Sequence, residues 1–120
     1  MNSLAVTDQA AEVVAIASRV KLADIEAAIS GVYYTTANRA LSDEALSIEH
    51  LAPLSIMTIC VVVMRNGFVV IGNSAPASPE NFNPDLGRKF AYEQCIRQLW
   101  PLMGFALRDK LSAQLENQAP

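Results

Sequence analysis

One histidine, two cysteines and a group of asparagines beside a basic pair are the places where this sequence could do chemistry. Catalysis asks for a positioned base, nucleophile or metal. His50, the single histidine, stands in the least regular stretch of the chain, where a solvated loop position is the plainer reading. Cys60 lies in an apolar run and Cys95 in a helical one, with no metal-ligand or redox spacing between them. Without an electropositive neighbour neither thiol is set up to ionise, so both read as small buried hydrophobes. A reducing cytosol also disfavours a bridge between them. Asp109, between Arg108 and Lys110, reads as a solvated helix face. No catalytic residue, metal cluster or cofactor motif can be named, and the expectation is a binding protein rather than an enzyme.

The segment from Ser78 to Lys89 carries more. Asn83-Pro84-Asp85 has the order of a helix start, a cap followed by a first-turn proline and acid. Free N–H groups and the helix dipole at such an end favour an anion, and Arg88 and Lys89 follow within the first turns. Asn81, Asn83, Arg88 and Lys89 are therefore the candidate ligand-binding residues, the ligand being a small anion such as a nucleotide. The plainer alternative has Asn81 bonding its loop, Asn83 capping the helix, and Arg88 paired with Glu80 or Asp85. Tyr33, Tyr34 and Trp100 could stack on a base, although aromatic residues with polar tips serve cores and subunit contacts equally well.

These residues need elements to hold them. Thr7 to Val20 reads as a helix capped by Thr7, with Val13, Ile16, Ala17 and Val20 on one face. A second, from Leu22 to Ser30, places Asp24 and Glu26 near its positive end and is expected to stop at a left-handed Gly31. Val32 to Thr36 is β-branched and aromatic and suits a strand. Asn38 to Pro53 reads as a long connection with room for a helical turn around Asp43 to Leu46. The strongest local signal is a hairpin: Ser55 to Met64 and Phe68 to Ile71, joined at Asn66-Gly67, a pair suited to a type I′ turn. Its first strand is apolar on both faces, with Cys60, Val62 and Met64 on one and Ile59, Val61 and Val63 on the other. A two-stranded hairpin is marginal alone, so either the Tyr33-Tyr34 segment or a second subunit must add a strand. A helix is expected from Pro84 to about Leu99, with Leu86, Phe90, Ile96 and Leu99 inward. Gly87 in its first turn is tolerated more easily if something packs closely there. Trp100-Pro101 should break this helix, a last one should run from Gly104 to about Leu115, and Asn117 to Pro120 should fray. The fold class is α+β: two N-terminal helices, a central β-hairpin extendable to a three-stranded antiparallel sheet, and two C-terminal helices.

A chain of 120 residues points to one domain, 1–120. Its 52% hydrophobic content is above the roughly 45–50% of an ordinary globular chain, which leaves apolar surface for a partner and points to a homo-oligomer. The apolar run Ile56 to Met64 is about half of the roughly 20 residues that a membrane span needs. The N-terminus has no basic residue before its apolar positions, unlike a signal peptide. Together these imply a soluble, cytoplasmic protein. The net charge of −3 argues against a duplex binder relying on phosphate neutralisation. Charge is uneven, however: residues 1–60 hold three Lys or Arg against seven Asp or Glu, and 61–120 hold six against five.

From about residue 54 to 111 the chain resembles the gene-49/gene-66 family of small tailed-phage proteins. The resemblance lies in the order and spacing of Pro53-Leu54-Ser55 with its apolar strand, Asn66-Gly67-Phe68, Gly72 with Ser74-Ala75, Ser78-Pro79-Glu80-Asn81-Phe82, Leu86-Gly87-Arg88-Lys89, and Trp100-Pro101-Leu102 with Gly104. Asp24-Ile25-Glu26 matches more weakly upstream, and residues 35–53 look longer than in many members. The family often has Cys where this chain has Pro76 and Tyr where it has Phe105, so those positions supply no thiol or phenol here. The resemblance implies a phage or prophage origin and a compact accessory protein, and brings no activity to carry over. The leading expectation is a non-enzymatic, homo-oligomeric accessory protein that acts on the bacterial host by binding, capturing a small anionic signalling nucleotide in an anti-defence role. The alternative is a modulator that binds a host protein or nucleic acid.

Overall fold

The β-rich runs come together as one antiparallel sheet. The computed structural model describes residues 3–14 and 18–118, without the side chains of residues 10 and 12–14. Along the described chain the elements are α1 (Ser3–Val14), α2 (Leu22–Ala27), β1 (Ile29–Thr36), α3 (Ala37–Ala40), α4 (Ile48–Ser55), β2 (Thr58–Met64), β3 (Val69–Ser74), a 3-10 turn (Pro79–Asn81) and α5 (Pro84–Gln118). Sheet order is β1-β2-β3, so the Tyr33-Tyr34 segment is indeed the third strand. The chain divides into two compact units, one built from residues 29–96 and the other from 1–28 together with 97–120.

In the unit of residues 29–96, cross-strand pairing puts Val32, Val62 and Val70 in one row, Tyr34, Cys60 and Gly72 in the next, and Thr36, Thr58 and Ser74 in a third. These rows share a face, on which Cys60 and Val62 are fully buried. The first part of α5 covers it through small residues. A methyl group on Gly72 would come 2.1 Å from the Ala91 carbonyl oxygen, and one on Gly87 would come 2.4 Å from Thr58 Oγ1. Gly87, Ala91 and Cys95 thus form an i, i+4, i+8 stripe that lets the helix backbone sit close on the strands. The close packing expected at Gly87 is present. Leu86 and Phe90, expected inward, are instead exposed, because the small-residue stripe, not the bulkiest side chains, makes the contact. On the other sheet face Tyr33, Val61 and Ile71 share a row, and Tyr33 and Ile71 are 65% and 55% exposed.

The hairpin stands, with a different turn. Among the described residues only Gly67 has a positive φ, of 89°, so Asn66 does not adopt the left-handed state that type I′ requires. Gly67 N donates to Met64 O, Met64 N donates to Phe68 O, and the Asn66 side-chain oxygen accepts from Phe68 N. This is the three-residue loop in which a type I turn is closed by a left-handed glycine. Strand bounds shift as well: α4 takes residues up to Ser55, with Ser47 accepting from Glu49 N as its cap. The connection from Asn38 to Pro53 therefore holds α3 and α4, and residues 43–46 are not helical.

In the other unit, Asp8 ties the pieces together. Its carboxylate accepts from Arg19 Nη1 at 2.9 Å and from Leu22 N at 3.1 Å, and these contacts hold its pKa below the ordinary 3.8. Trp100 Nε1 donates to Val20 O. Ile25 and Leu99 are buried. Thr7 is not a cap; its hydroxyl donates to the Ser3 carbonyl inside α1, the local bond that competes with capping. The side chain of Val13 and all of Ile16 and Ala17, named for the inner face, lie outside the described residues. Helix α2 ends at Ala27, capped by Ala28, whose N–H bonds back to Asp24 and Ile25. Ile29 and Gly31 then belong to β1, so Gly31 is a strand residue and not a helix stop. The expected break at Trp100-Pro101 does not occur. Helix α5 runs unbroken through both expected C-terminal helices to Gln118, and Asn117 is helical. Proline removes one intrahelical bond, and burial of Ile96 and Leu99 on the preceding turn favours the helix across that gap.

Candidate functional site

The start of α5 is built as a capped helix. Asn83 Oδ1 accepts from Asp85 N at 3.0 Å and Leu86 N at 3.2 Å, and Asn83 O accepts from Gly87 N. The cap itself thus takes two of the N–H groups that an anion would use. Arg88 Nη1 lies 3.2 Å from Asp85 Oδ1 in a solvent-exposed pair, a type worth little. The Glu80 carboxylate accepts from the Ser78 hydroxyl, and that bond lowers its pKa.

Two adjoining clefts open around this start. The polar one is lined by Tyr34, Thr35 and Thr36 from β1, Arg39 from α3, Thr58 from β2, and Phe82, Pro84 and Arg88, and measures about 80 Å³. The apolar one, of about 180 Å³, is lined by Ile56, Ser74, Ala75, Pro76, Asn81, Phe82, Asn83, Leu86, Gly87 and Phe90. Phe82 belongs to both. The four candidate residues are therefore divided: Arg88 lines the polar cleft, Asn81 and Asn83 line the apolar one, and Lys89 lines neither.

Arg39 is the site residue that sequence reasoning missed; Tyr34, named there as a possible stacking residue, lines the same cleft. The β-branched run fixes β1, but only the pairing of β1 with β2 brings Thr36 beside Thr58 and carries Arg39 to the same end of the sheet as Arg88. Burial pushes the Tyr34 phenol above 10.0, aided by the nearby Cys60 and Cys95 and opposed by Arg88. A phenol so placed stays a neutral donor at ordinary pH. The thiols beneath it are buried and free, and Cys95 Sγ lies 3.5 Å from Cys60 O. Burial pushes Cys60 up to about 12 and raises Cys95 as well, which favours the protonated thiol of both over the thiolate. His50 is exposed on α4. Among the described residues no group of three or more His, Cys, Asp or Glu is placed to share a metal ion. Nor is any helix long and apolar enough to cross a membrane. Chemically, the arrangement offers two guanidinium groups among polar hydroxyl-bearing walls, with an adjacent apolar wall.

A family model described as the Phage protein (N4 Gp49/phage Sf6 gene 66) family matches residues 20–111, reaching well upstream of the segment whose motifs carry the resemblance. No curated protein and no solved structure matches the chain.

Proposed function

Since the chain belongs to the Phage protein (N4 Gp49/phage Sf6 gene 66) family, we propose that it is a non-enzymatic phage accessory protein that works in the host cytoplasm by capturing a small anionic ligand, with a signalling nucleotide as the ligand class and host anti-defence as the role. One observation carries this reading: Arg88, singled out for its place beside a helix start, lines a polar cleft together with Arg39 and with no acidic side chain in its walls. Guanidinium forks suit phosphate oxygens. Calorimetry against a panel of cyclic and linear nucleotides tests it. Wild type should bind at least one, and Arg88→Ala should weaken that binding by about 1.5–3 kcal/mol, the worth of a charged hydrogen bond. No binding by wild type removes the nucleotide reading, and equal binding by both removes Arg88 from the site.

A second reading, contact with a host protein, is favoured by the open sheet face with its exposed Tyr33, Val69 and Ile71. Apolar surface gathered in one place marks interaction sites. The same face would serve a homo-oligomer, and size measurement of the purified protein alone and with host lysate separates the two.

A further inference from the structure

We propose that Arg39 anchors the anion, and that the polar cleft takes the phosphate of a phosphomonoester whose uncharged body lies against Phe82 in the apolar cleft alongside. The inference rests on the anion-binding reading above and narrows its ligand. Size is the first argument. At about 80 Å³ the polar cleft is far below the roughly 300–1,000 Å³ of sites that enclose a whole small molecule. It has room for a charged head, and the rest of the ligand must lie outside it. The adjoining cleft supplies the place, because Phe82 lines both and Phe90 and Leu86 continue the apolar wall.

Charge is the second argument. The two arginines are not equivalent: Arg88 shares its guanidinium with Asp85, whereas among the described residues Arg39 pairs with no carboxylate. An anion at Arg39 displaces no ion pair, while one at Arg88 must compete with Asp85. Tyr34 and Thr36 bring polar hydroxyl groups to the wall, the Thr36 hydroxyl donating to Asn38 Oδ1 at 2.6 Å and the protonated Tyr34 phenol bonded with the Cys60 thiol, so the guanidinium of Arg39 carries the anion contact.

Phenyl phosphate and inorganic phosphate are the probes, titrated calorimetrically into the full chain as wild type, Arg39→Ala, Arg39→Gln and Arg88→Ala, with circular dichroism as the check on folding. Wild type should bind phenyl phosphate more tightly than inorganic phosphate. Both Arg39 variants should lose roughly 10- to 150-fold in affinity, the equivalent of one charged hydrogen bond, and Arg88→Ala should lose less. Folded Arg39 variants that bind phenyl phosphate as wild type does would overturn the assignment, as would a wild type that binds neither probe. Equal affinity for the two probes would overturn the role of Phe82. The two readings fail separately. Nucleotide binding that survives Arg39→Ala leaves the function proposed above standing and sinks this one. Arg39-dependent binding of phenyl phosphate in a protein that takes no nucleotide does the reverse.

Discussion

At the scale of single residues, Gly72 and Asp8 each hold a unit together by a different kind of force. Gly72 lets α5 lie against the sheet, and a methyl group there would meet the Ala91 carbonyl oxygen at 2.1 Å, a backbone atom that cannot swing aside. Gly72→Ala should cost about 1–3 kcal/mol, the range for forcing a carbon into a filled core, read as a lower urea midpoint. Asp8 works through charge. Its folded pKa is depressed, first by the Leu22 N–H and then by Arg19, so its contribution is complete above the ordinary 3.8 and is lost as pH falls through the lower folded value. Wild type should therefore lose stability on acidification below about pH 4 more steeply than Asp8→Asn, which a thermal melt series from pH 6 to pH 2 would show. Parallel curves for the two proteins would remove Asp8 from the acid response. Of the site, Arg88 and the asparagines could be read in sequence because a cap, a proline and a basic pair are local signals. Arg39 could not, because its neighbours in the cleft are set by strand pairing across the connection between β1 and β2.

Elements divide in the same way between what local chemistry fixes and what packing decides. The hairpin was legible because β-branched runs flank Asn66-Gly67, yet the turn type was not, since the same pair serves both a type I′ turn and a turn closed by Gly67 alone. The two residues should now behave differently. Gly67→Ala should cost about 1–2 kcal/mol for a side chain held left-handed, whereas Asn66→Ala removes one exposed hydrogen bond and should cost well under that. Urea denaturation of the two single variants distinguishes this from a type I′ turn, in which both would be costly. Helix α5 shows the opposite case. Proline is a sound local stop signal, but burial on the preceding turn carries the helix across Pro101. Pro101 is exposed, so Pro101→Ala should restore a backbone bond without losing core contact and raise stability by up to about 3 kcal/mol. An unchanged or lower melting temperature would mean that the proline is doing something besides interrupting a bond. The small-residue stripe on α5 escaped sequence reading for a related reason: periodicity finds large apolar side chains, and this contact is made by Gly87, Ala91 and Cys95.

For the whole molecule, the sheet face bearing Tyr33, Val61 and Ile71 raises the question of what it meets in solution. We expect a homo-oligomer at micromolar concentration by sedimentation, and a monomer there would count heavily against it. Val61→Lys and Val63→Lys should dissociate or unfold the protein, since a charge buried in an apolar contact has no partner. Folded, unchanged oligomers for both would move the interface elsewhere. The division of the chain has a further consequence, which concerns the order of events during synthesis. Residues 29–96 are contiguous, so that unit has all its parts as soon as α5 has been made as far as Ile96. The other unit draws on residues 1–28 and on 97–120, so its first segment must wait, incomplete, until the ribosome has released the last turns of α5. Domains fold as units during translation at about 5–20 residues per second. For the few seconds that gap represents, α1 and α2 are an unfinished surface in a crowded cell, while the sheet unit is already complete.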